Sequence, residues 1–238
     1  MNRILITTTF LLSSLVLPAG SMDSFFNNAD DFFRDHVKYG NVNYTSLKSN
    51  HSQLKNLIEQ IGSVTLPADL TERKAFYINA YNILVIHSTV TNYPVKSVMD
   101  IPGFFNETKH TIAGKLLTLD QLEKQTLMKE FYDVRLHFIL VCAARSCPPL
   151  PSYAYMPETL ESQILSGTKK TLNDVRFIKP NNGAKQVNVS KIFDWYKSDF
   201  TKNGETILSF LNKYRNSKIP SDWKLGYYEY DWRLNDLK

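Results

Sequence analysis

Two thiols and one histidine set the limits of the chemistry this sequence can carry. Cys142 and Cys147 are the only cysteines in 238 residues, and Pro148 and Pro149 follow the second directly. Pro148 fixes its own φ and biases Cys147 toward an extended conformation, which holds the thiol on a rigid turn. His137 lies a short way upstream. An imidazole near a thiol can lower its pKa and accept its proton, so Cys147 as nucleophile with His137 as base is one reading. A third group is then wanted to orient the ring, and Glu123, Asp133, Asn79 and Asn82 are the candidates. Members of a triad meet in space and not along the chain, so spacing leaves that choice open. The other reading is structural: a buried His137 bonded to a carbonyl, beside a cysteine that ends a strand.

Other site chemistries are excluded by their missing motifs. There is no phosphate-binding loop, no dinucleotide-binding glycine pattern, no HExxH and no GxSxG. The histidines, His36, His51, His87, His110 and His137, are widely spaced and form no zinc pattern with the cysteines, so neither a metal nor another cofactor is expected. His36, His51 and His110 fall on stretches that read as surface, and His87 reads as a core residue. The loop between the two cysteines is short, and Cys142 falls inside an apparent strand with Cys147 beyond its end. That favours unpaired thiols, because a disulfide needs the two Cβ atoms within about 4 Å. A redox role for the pair would require that approach.

The chain opens like a secretion signal, with Arg3, an apolar run over 4–17 and small residues over 18–21. The run is too short and threonine-rich for a membrane span. Export to a periplasmic or extracellular space is therefore expected, leaving one domain over 22–238. The net charge of +5 comes from scattered lysines and gives no nucleic-acid footprint.

The elements that must position these residues read as α+β: one domain, a mainly antiparallel sheet and several flanking helices. Residues 134–144 have almost no breakers and read as a buried strand, with Arg135 and His137 on one face. Helices are expected over 23–39, 47–61, 71–91, 157–167 and 205–214, with another starting at a Ser190 cap. Asn79 and Asn82 share one face of the third helix among apolar residues and need partners, either loop carbonyls or a ligand. A hairpin around Gly114 precedes a capping box at Thr118 and Gln121. A second hairpin turns at 180–183, and the aromatic tail over 225–234 reads as a final strand.

FYINAYN (76–82), AGKLLTLDQLE (113–123), DVRLHFILVCAARSCPPL (133–150) and VSKIFDWYKSDF (189–200) occur in this order. Together with GNVNY after the first helix, they resemble the DUF547 family of uncharacterised domains, over a reach that begins near Phe32. Arg135, His137, Cys142, Cys147 and Pro148 match its R-x-H-F and C-x4-C-P elements. Glu123 matches the glutamate that ends its L-D-x-I/L-E segment, and Asn79 and Asn82 match the asparagines of its helix. A histidine that often follows that glutamate is Lys124 here. The matched segments hold the ingredients of a papain-like or transglutaminase-like thiol site, in a different chain order. The expectation is an exported thiol-dependent hydrolase or acyltransferase acting on an amide, peptide or thioester bond. Cys147 would attack, His137 would move the proton and Glu123 would orient the ring. Asn79, Asn82 and Arg135 would contact a peptide or acyl substrate, and the Cys147 N–H and an asparagine would hold the oxyanion. The alternative is a non-catalytic exported binding module with a structural Cys/His cluster.

Overall fold

The computed structural model describes residues 21–237, so the leader-like segment lies outside the described residues except for Ser21. Ser21 caps helix α1 (Met22–His36), its Oγ accepting the Ser24 N–H. Phe25, Phe26, Phe32 and Phe33 recur at helical spacing and bury one face of α1. A two-residue hairpin follows, β1 (Val37–Lys38) and β2 (Asn41–Val42), turning through Tyr39 and Gly40 at positive φ. Gly40 is required there twice over, because a Cβ would also come within 2.9 Å of Pro149 Cβ. The single helix expected over 47–61 is two, α2 (Tyr44–Ser49) and α3 (Ser52–Ser63), broken at Asn50 and His51.

Helix α4 (Leu70–Asn92) is the axis of the fold. Asp69 caps it through the Glu72 N–H, and residues 75–86 are buried on every side. The hairpin β3 (Lys109–Ile112) and β4 (Lys115–Thr118) turns at Ala113–Gly114. The Thr118/Gln121 capping box forms with both reciprocal bonds. It starts a π-helical turn over Gln121–Leu127 that carries Glu123 and continues into α5 (Met128–Phe131). His110, read as a surface residue, is instead buried against His87, and burial with the neighbouring His87 pushes it down to about 4.

Helix α6 (Leu160–Asn173) runs longer than expected, after a 3-10 turn that opens on Pro157. Strands β5 (Ile178–Asn181) and β6 (Gln186–Val189) are antiparallel, while β7 (Lys224–Tyr227) pairs with β6 in parallel. Between β6 and β7 lie α7 (Ile192–Trp195), α8 (Lys197–Phe200) and α9 (Ile207–Tyr214). The protein is one α+β domain in which the sheets are small, of two, two and three strands among the described residues.

The strand expected over 134–144 is absent. Val134–Phe138 is a 3-10 helix capped by Asp133, and 139–146 continue as irregular chain. The run is apolar because it lies between two hydrophobic clusters. Leu136, Ile139, Leu140 and Val141 join the larger one around α4, and Phe138 enters a second cluster with Phe177, Phe193, Phe200 and Phe210. No neighbouring strand satisfies its backbone. The Asn82 side chain takes the Val141 N–H at 3.0 Å and donates to the Ile139 carbonyl at 3.1 Å.

Candidate functional site

The 3-10 helix delivers His137 to the wall of a cavity of about 550 Å³. The ring is 5 % exposed, lies 4.0 Å from Tyr196 between centroids, and is also packed on Phe200. Its Nε2 is 2.9 Å from Asp199 Oδ2. The hydrogen bond to His137 holds the Asp199 carboxyl below its usual range, so Asp199 accepts and Nε2 carries the proton. Nδ1 makes no hydrogen bond among the described residues, so in this tautomer its lone pair is unpaired.

Cys142 and Cys147 line the same cavity, joined in a disulfide. The expectation of unpaired thiols is overturned. Without a strand to hold it extended, the chain after Val141 curls through Ala143 at positive φ and brings the two Cα atoms to 6.2 Å. Cys147 Sγ accepts the Cys142 N–H at 2.9 Å, and Tyr230 Oη lies 3.0 Å from Cys142 Sγ and 3.4 Å from Cys147 Sγ. Both cysteines are half-buried.

Glu123 faces the cavity, but its carboxylate is held by tyrosines. Tyr81 donates to Oε2 and Tyr196 to Oε1, each at 3.0 Å. Burial, and then the Glu123 charge, push both phenols well up, so they remain donors. The group that orients His137 is Asp199. Asp199 lies in the 189–200 segment, and its only signal in the sequence is a carboxylate beside the aromatic run of α7 and α8.

The remaining candidates lie away from the cavity. Asn79 is fully buried, bonding the Ala75 carbonyl and both backbone groups of Tyr155. Asn82 is equally buried and holds 139–141 as described. Arg135 forms ion pairs with Asp133 and Glu161, and Asp133 also takes Lys74 at 2.6 Å. The Cys147 N–H donates to the Ala144 carbonyl. None of the donors expected for an oxyanion therefore points at the sulfur. The cavity is completed by aromatic residues: Trp195, Tyr230 and Trp232 form a cluster with centroids 4.7 to 5.7 Å apart. Backbone bonds from Arg145 and Ser146 to the carbonyls of Arg233 and Asp231 hold that tail in place.

Residues 68–171 match the family model of DUF547, described as a protein of unknown function. That span is narrower than the motifs alone suggested. It contains Glu123, His137 and both cysteines, and the matched segment ends before Asp199, Tyr230 and Trp232. No curated protein and no solved structure matches the chain.

Proposed function

We propose that the cavity is a centre for thiol–disulfide exchange, with the Cys142–Cys147 disulfide as the reacting group. The observation that carries this reading is a half-buried disulfide in the wall of a cavity that His137 also lines, with Asp199 bonded to the ring. Acyl transfer needs donors aimed at an oxyanion. Exchange needs none. It needs access, an attacking thiolate and a stabilised leaving thiolate.

The residues supply these needs. His137 Nδ1 takes the proton of an incoming thiol. The thiolate attacks Cys142 Sγ, the S–S bond breaks, and its electron pair leaves on Cys147. There the Cys142 N–H and the Tyr230 hydroxyl favour the anion. A second substrate thiolate attacks the substrate sulfur of the mixed disulfide and releases Cys142. Two substrate thiols have then become one disulfide and the protein a dithiol, which an external disulfide oxidant re-closes. In reverse, Cys142 attacks a substrate disulfide and releases one thiolate, and Cys147 then attacks Cys142 Sγ to expel the other and close the disulfide. An oxidising, exported setting suits the closed form.

Exchange is tested on the folded chain in glutathione redox buffers, with iodoacetamide trapping and mass measurement. The expected result is a reversible, buffer-dependent dithiol whose Cys147 alkylates faster than Cys142. A disulfide that stays closed until the chain unfolds would instead leave a binding module with a structural Cys/His cluster. A second reading, hydrolysis or acyl transfer by Cys147 in the reduced chain, is favoured by the His137–Asp199 pair. It predicts an acyl burst from an activated ester only after reduction, lost in Cys147→Ser.

A further inference from the structure

We infer that the same cavity takes an organic cation, an ammonium or trimethylammonium group, against Glu123. This goes beyond the exchange reading and does not depend on it. The charges that face the cavity pair off with one exception. Lys124 is bonded to Asp120 at 3.0 Å, and His137 is bonded to Asp199. Glu123 is 8 % exposed and has no cationic partner among the described residues, and its two tyrosine donors are neutral. A buried carboxylate without a counter-ion is costly. The tyrosine bonds reduce that cost, and a cation would remove more of it.

The walls fit such a guest. Tyr81 and Tyr196 stand on either side of the carboxylate, and Trp195, Tyr230 and Trp232 continue the aromatic lining. Aromatic faces attract a desolvated cation, tryptophan most strongly. An anionic guest would meet the unpaired Glu123 carboxylate and find no free cation among the described lining residues. A neutral guest of the same shape would gain the apolar contact alone. Glu123 also sits on the π-helical turn, an uncommon geometry, with its carboxylate between Tyr81 of α4 and Tyr196 just after α7. Trp195 lines the cavity and is 49 % exposed, so its ring is open to a guest.

Calorimetric titration of the full chain with choline and with its uncharged isostere, 3,3-dimethylbutan-1-ol, tests the inference. Choline is expected to bind at least about ten-fold more tightly than the alcohol. Glu123→Gln should reduce that ratio toward one, and Trp195→Leu, at an exposed position, should weaken choline several-fold. Equal affinity of the two compounds for the native chain, or binding of neither, would overturn the proposal whether or not Glu123→Gln folds. So would an unchanged ratio in a folded Glu123→Gln chain. Choline carries no thiol, so failure here leaves disulfide exchange standing, and failure of exchange leaves cation binding standing.

Discussion

His137 is both a packed side chain and a group with a free nitrogen, and one substitution separates the two contributions. The ring stacks on Tyr196 and Phe200 and bonds Asp199, so His137→Ala removes contact and leaves a carboxylate without its partner. We expect a loss of about 1–3 kcal/mol by urea denaturation. In the exchange reading the same variant also slows attack of an incoming thiol on the Cys142–Cys147 disulfide. A wild-type rate of disulfide opening by glutathione in a folded, destabilised variant would remove His137 from the chemistry. Asp199 gives a pH arm to the same test. Its folded pKa is lowered by His137, so its stabilising contribution is complete above the ordinary carboxylate range. That contribution is lost as pH falls through the folded value. Asp199→Asn should therefore flatten the acid limb of a stability–pH curve.

At the scale of elements, the sequence was legible where a local cap or period decides the outcome and illegible where tertiary context does. Helix α4, the Thr118/Gln121 box and both hairpins follow from caps, apolar spacing and Gly turns. The run 134–144 does not, because a short apolar stretch buried on all sides has no period with which to tell strand from irregular chain. That one misreading carried the disulfide with it, since strand geometry would have kept the sulfurs apart. Of the two asparagines that looked like site residues, Asn82 holds the irregular run and Asn79 holds Tyr155. Asn82→Leu, close in volume, would orphan the Ile139 carbonyl and the Val141 N–H in a fully buried setting. A loss of about 2–4 kcal/mol is expected from chemical denaturation; a change within error would mean that the segment is held by packing alone. The cap of the 3-10 helix offers a further check. Burial alone would raise the Asp133 carboxyl, but hydrogen bonds from Arg135 and Lys74 outweigh it and hold the group at about 2. A depressed carboxylate stabilises above its unfolded pKa and loses that contribution as pH falls from about 4 toward 2. Asp133→Asn should cost about 2 kcal/mol at neutral pH and little at pH 2. A penalty as large in acid as at neutrality would show that the cost was not electrostatic.

Across the whole molecule, two clusters meet along 134–141, and the C-terminal tail closes the seam where they meet. Backbone bonds run from Val42 to Asn235, from Leu237 to Val42, from Leu234 to Lys96, from Asn235 to Ala143 and from Arg145 to Arg233. Tyr44 donates to Asn235 Oδ1 at 2.8 Å, and the Asn235 amide reaches the Gly40 carbonyl. The tail thus ties the first hairpin, the connector after α4 and the disulfide loop into one body, while Tyr230 and Trp232 supply one wall of the cavity. Little of this was visible in the sequence. The aromatic tail reads as a strand over 225–234, but only 224–227 pair as one, because the partners of the rest are far away along the chain and leave no periodic trace. Local opening of the tail would therefore expose the disulfide and the cavity together. Asn235→Ala breaks the two side-chain bonds without shortening the chain, and about 2–3 kcal/mol is the expected cost. Removal of residues 230–238 should do more, abolishing cooperative unfolding and opening the disulfide to reductants that leave the intact chain oxidised. Circular dichroism melts and trapping by iodoacetamide, run on both variants, would measure the two effects side by side. If the shortened chain melted like the native one, the tail would be an ornament on an independently folded body, and its role as the wall that completes the site would have to be given up.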